Sequence, residues 1–184
     1  AGSNEIDLYC GTGGLTISLV TVNASSADSD WDVDGNFTVT GGTFSAPGVA
    51  DDTSFTVGGS WSITGSAIFT PNGGRVVFDA GATGKTIVTT SSGACVFYDV
   101  TFNGTGGEWT AGSNLAVTHD LNITAGALNM STYGLHVGNS AVITDYFMNR
   151  GRLVFSSWQS VLDGSTNWAF YYSGTNIEYG YSGT

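Results

Sequence analysis

The residues in this chain best able to do chemistry are carboxylates. The densest set is Asp28, Asp30, Asp32 and Asp34, closed by Gly35. Asp-x-Asp-x-Asp-Gly opens many calcium loops, where hard oxygens converge and a glycine lets the backbone bend. An EF-hand needs Glu at the twelfth position of such a loop; here that position is Gly41, so the segment is not an EF-hand. Two readings stand. In one, calcium bridges the four carboxylates and is the chain's only cofactor. In the other, Trp31 and Val33 point inward, the alternation of a strand gathers the acids on one outer face, and water solvates them.

Other reactive side chains are sparse. Asp79, Asp99, Glu108 and Asp120 lie in the middle of the chain, and a polysaccharide-cleaving site would need two of them side by side. Isolated outward acids are the expectation, with no catalytic residue assigned and no enzyme activity. His119 and His136 are the two histidines, too few to specify a metal centre by spacing alone. Gly11-Thr12-Gly13-Gly14 lacks the lysine and helix of a phosphate loop and reads as a turn. Cys10 and Cys95 are the only cysteines. They form a disulfide if the fold brings their Cα atoms within about 7 Å, and stay as thiols otherwise.

What must position these groups is a repeated phrase. Trp31-Asp32-Val33 precedes Phe37-Thr38-Val39-Thr40, and Phe55-Thr56-Val57 precedes Trp61-Ser62-Ile63-Thr64. Leu115-Ala116-Val117 precedes Leu121-Asn122-Ile123-Thr124, and a weaker copy joins Leu135-His136-Val137 to Ala141-Val142-Ile143-Thr144. The copies start at 31, 55, 115 and 135, steps of 24, 60 and 20, where 60 is three times 20. A period of about 20 to 24 residues matches one coil of a stacked β architecture. Small residues follow each second strand at Gly41-Gly42, Gly65-Ser66 and Ala125-Gly126, as a tight corner requires.

The fold class that follows is all-β, a right-handed parallel β-solenoid of about seven to nine coils, with a β-sandwich as the alternative. Its interior is expected to hold Val33, Phe37, Val39, Phe55, Val57, Trp61, Ile63, Leu115, Val117, Leu121, Ile123, Leu128, Leu135, Val137 and Ile143. One domain is expected, with coils over residues 1–144 and an aromatic-rich cap or docking segment over 145–184. That segment carries Tyr146, Phe147, Phe155, Trp158, Trp168, Phe170, Tyr171, Tyr172, Tyr179 and Tyr181. Either it covers the last coil or it contacts the next subunit, through Trp158, Trp168, Phe170, Tyr171, Tyr172, Tyr179 and Tyr181.

Composition narrows the function classes. Of 184 residues only 10% are charged, and four basic residues face fifteen acids for a net charge of −11. So few cations exclude a phosphate-neutralising surface, hence nucleic acid, and an anionic bilayer would repel the chain. No apolar run is long enough to insert in a membrane.

FTPNGGRVVF (69–78), FNGTGGEW (102–109) and DLNITAGAL (120–128) resemble degenerate right-handed β-helix repeats of secreted surface proteins, filamentous-adhesin-like proteins and phage tail fibres. The resemblance covers roughly residues 31–144. It implies an extracellular or cell-surface structural role, or a place on a virion, and supplies no catalytic residue. The function expected is therefore a non-catalytic subunit of an extracellular filament or surface appendage, polymerising head to tail. The alternative is a glycan-binding adhesin or tail-fibre module, with Trp109, Trp158 and Trp168 as stacking surfaces for sugar rings.

Overall fold

A computed structural model describes residues 8–25, 29–48, 54–89 and 95–137, and the strands 147–149, 152–154, 170–172 and 177–178. The chain winds as a parallel β-solenoid. Its first coil runs through β1 (Leu8–Cys10), β2 (Leu15–Ile17) and β3 (Val20–Asn23). The second repeats this with β4 (Trp31–Val33), β5 (Phe37–Val39) and β6 (Gly42–Ser45). The third uses β7 (Ser54–Val57), β8 (Trp61–Ile63) and β9 (Ile68–Thr70). Next come β10 (Arg75–Phe78) and β11 (Lys85–Thr89), whose third face is marked by single bridges from Cys95 to Phe69 and from Phe97 to Val117. Two strands then turn a corner without a break: β12 (Asp99–Ala111) leads to β13 (Leu115–Val117), and β14 (Leu121–Asn129) to β15 (Leu135–Val137). From the first of these six coils to the last the stack makes about five turns, where the repeat predicts seven to nine coils for the whole chain. The backbone ladder continues through β16 (Phe147–Asn149), β17 (Arg152–Val154), β18 (Phe170–Tyr172) and β19 (Ile177–Glu178).

Among the described residues every strand pairing is parallel and joins one coil to the next, as in β1 to β4 to β7 to β10. No α-helix occurs among the described residues, and the sandwich alternative, which needs antiparallel neighbours, is set aside. Strands of three or four residues persist because each is paired with a like neighbour on an adjoining coil, and many with one on either side. A lone strand of that length would not hold.

The repeat chose the core correctly. Trp31, Val33, Phe37, Val39, Phe55, Val57, Trp61, Ile63, Leu115, Val117, Leu121, Ile123, Leu128, Leu135 and Val137 are all buried, while Ile143 lies outside the described residues. Parallel register puts like on like, so Trp31 stacks over Phe55 and Phe37 over Trp61. The result is a dry aromatic column through Phe37, Phe55, Trp61, Phe69, Phe97, Phe78 and Phe102, with ring centroids 4.7–6.2 Å apart along it. Such ring pairs contribute about 0.5–1.5 kcal/mol each beyond the area they bury.

Corners bring backbones into contact. At Gly42, φ is +80° and an added Cβ would stand 2.0 Å from the Val20 carbonyl oxygen of the coil beneath, so only glycine fits.

Candidate functional site

The described residues bring one set of metal-competent side chains together, at the corner where β13 hands over to β14. Asp99 opens β12, and His119 and Asp120 occupy the same corner one coil later. His119 Nδ1 lies 2.6 Å from Asp99 Oδ1 and 3.6 Å from Asp120 Oδ1. The three ligand atoms all lie within 4.8 Å of one another, the only such group of three among the described residues. Backbone geometry fixes the cluster: Asp120 N–H donates to Asp99 Oδ1 at 3.0 Å, and His119 N–H to the Tyr98 carbonyl at 3.1 Å. The Tyr98 ring stacks on the imidazole, centroids 4.6 Å apart and planes within 10°. His119 is 25% exposed and each carboxylate 14%, so the group is half-buried. Sequence reasoning noticed these three residues separately but did not join them.

The acidic segment is arranged differently. Asp32 is half-buried on β4, Asp30 and Asp34 are exposed, and Asp28 lies outside the described residues. The three placed acids do not converge as a ligand set. Their electrostatic neighbour is instead Asp79, two coils on. Partial desolvation first, then the Asp32 and Asp34 carboxylates, raise the Asp79 carboxyl above its ordinary 3.8, against a lowering hydrogen bond from its own backbone. Asp79 keeps an exposed surface, which limits the effect.

Both cysteines are free thiols, one of the two outcomes the sequence left open. Cys10 pairs in register with Val33 on the first coil, whereas Cys95 bridges to Phe69 on another face. Three coil steps of about 4.8 Å separate their levels, about twice the Cα separation a disulfide spans. Burial pushes the Cys95 thiol up to about 12, offset slightly by the indole of Trp61.

Trp109 is fully buried and donates from Nε1 to the Gly59 carbonyl at 3.2 Å, so it offers no face to a sugar. Of the aromatic docking residues, Phe170, Tyr171 and Tyr172 form β18, paired with β16. Trp158, Trp168, Tyr179 and Tyr181 lie outside the described residues. His136 is half-buried on β15, in register with Ala116.

The first coil presents a different kind of site. Among the described residues β1, β2 and β3 are each paired on one side only, to β4, β5 and β6. Its inward residues Leu8, Cys10, Leu15 and Val22 pack against the core yet are only partly buried. Tyr9, Leu19 and Val20 beside them are 73%, 85% and 52% exposed. Among the described residues no helix is long and apolar enough to cross a membrane. No protein family, curated protein or solved structure matches the chain.

Proposed function

We propose that the chain is a non-catalytic structural subunit of an extracellular filament or surface appendage, joined to further copies end to end. The half-covered apolar first coil, whose three strands are each paired on one side only among the described residues, carries this reading. An open parallel edge recruits another strand through its free N–H and C=O groups. A second copy seated there would continue the ladder and bury Leu8, Leu15 and Val22. Because one end meets a different end, the contact does not close, and repetition gives a fibre.

The backbone identifies a blocking variant. Leu15 N–H donates to the Asn36 carbonyl and Thr40 N–H to the Ile17 carbonyl, so both outer residues of β2 face β5. Alternation then turns the Thr16 N–H toward the open edge. Thr16→Pro removes that donor without touching the β2–β5 bonds. Electron microscopy and sedimentation over a concentration series are expected to show unbranched fibres for the unaltered chain and folded monomers for Thr16→Pro. Monodisperse particles of the unaltered chain at every concentration would overturn the proposal.

A further inference from the structure

We propose that Asp99, His119 and Asp120 bind one divalent transition-metal ion of the zinc type, clamping two adjacent coils. This site is independent of the assembly reading, since it stands at a corner of the stack and not at its open end. The donor set is one imidazole nitrogen and two carboxylate oxygens, a combination suited to zinc and its first-row neighbours.

Metal–ligand distances of about 2.0–2.2 Å in a tetrahedral site put the ligand atoms about 3.4 Å apart. The two separations from His119 Nδ1, 2.6 and 3.6 Å, bracket that spacing, and all three ligand atoms lie within 4.8 Å of one another. Binding therefore asks only for a small opening of the Asp99–His119 contact, by rotation of side chains on neighbouring coils. Three protein ligands leave a fourth position for water, and partial exposure of the group gives the ion a way in. Calcium and magnesium, which take mostly oxygen ligands in larger numbers, are not matched by a site whose central donor is an imidazole nitrogen.

The chain supplies the supporting shell too. Tyr98 fixes the imidazole plane from one side, and the Asp120 N–H holds the Asp99 carboxylate in place. Arg75 stands in register with Asp99 on the coil before, yet the Asp99 carboxylate contacts His119 Nδ1. Metal at Nδ1 leaves the ring proton on Nε2, whereas the Nδ1–Asp99 hydrogen bond of the metal-free form puts it on Nδ1 when His119 is neutral. Binding thus switches the tautomer.

That switch is the readout. The full chain is titrated with zinc chloride in excess calcium and followed by calorimetry and by imidazole ¹⁵N resonances, His136→Gln assigning the two histidines. The expected result is one zinc per chain, a His119 Nδ1 resonance moved to a metal-bound position, and affinity reduced more than about tenfold in Asp99→Asn and His119→Gln. Cobalt in place of zinc should give the visible absorption of a tetrahedral site. Absence of saturable binding, or zinc held equally well when Asp99→Asn and His119→Gln are combined, overturns the proposal. So does a shift confined to His136. If the variants fail to fold, the nitrogen shift in the unaltered chain decides alone.

Discussion

Three alanine substitutions separate the stacking of coils from ordinary glycine chemistry. A Cβ added at Gly13 would have no neighbour within 4 Å, and φ there is outside the left-handed region, so Gly13→Ala only stiffens the unfolded chain and stabilises by about 0.4–1 kcal/mol. Gly84 also has open space, but its φ is +83°. Alanine there is strained by about 1–2 kcal/mol, partly offset by the same chain stiffening, for a net loss near ~1 kcal/mol. Gly42 shares the conformation, at φ +80°, and adds a collision: its Cβ would meet the Val20 carbonyl oxygen at 2.0 Å and the Val20 nitrogen at 2.7 Å. The obstacle is backbone, so relief requires the β3–β6 pair to part, losing hydrogen bonds of about 1 kcal/mol each on top of about 1–3 kcal/mol of overpacking. Gly42→Ala should therefore cost roughly 3–5 kcal/mol. Urea unfolding followed by tryptophan fluorescence supplies the free energies. Amide exchange over Val20–Asn23 and Gly42–Ser45 reports whether loss of protection is local. Equal destabilisation by Gly42→Ala and Gly84→Ala, within about 0.5 kcal/mol, would refute the close approach of the first two coils.

Asp79→Asn should stabilise the fold at neutral pH and lose that advantage in acid. The raised folded-state carboxyl binds its proton more tightly than the unfolded one, so stability falls as pH rises from 3.8 through the raised value; unfolding at pH 3 and pH 7 tests the sign. A thiol reagent at pH 8 should modify Cys10 while leaving Cys95, held near 12, protected until the chain unfolds; equal rates in the native protein contradict this. Trp109→Phe should cost about 2–3 kcal/mol, because it strands the Gly59 carbonyl, and should exceed the cost of Trp61→Phe, whose indole N–H has no carbonyl to strand. Melting with calcium and with chelator should give the same midpoint, since Asp30, Asp32 and Asp34 do not converge; a calcium-dependent rise would restore the loop reading.

The fold was legible because a parallel stack repeats its inward positions. Val33, Val57 and Phe78 share one column, and Phe37 and Trp61 another, so a phrase shared by four segments amounts to a contact map. The Asp99–His119–Asp120 corner was not legible, since it depends on register between residues 20 and 21 apart, and coil length varies along the chain. Where β12 pairs with β14 the register itself shifts, at Phe102/Asn103 and again before Glu108. A constant period cannot place side chains across such shifts. The three described acids of the segment stand apart for a related reason. Period two puts Asp30, Asp32 and Asp34 on one side of a strand, but Asp34 lies past the end of β4, in the turn, where alternation no longer applies.

Like-on-like register has a further consequence, for how such a molecule changes length. Phe37 and Trp61 occupy equivalent rungs, so excising residues 37–60 would let Trp61 take the berth of Phe37 with its neighbours above and below unchanged in kind. Whole windings can thus be spliced in or out, each altering the height by about 4.8 Å, while a cut of any other size throws every later rung off its column. Inheritance and engineering alike would count this protein in windings, the way a tailor counts rows of knitting.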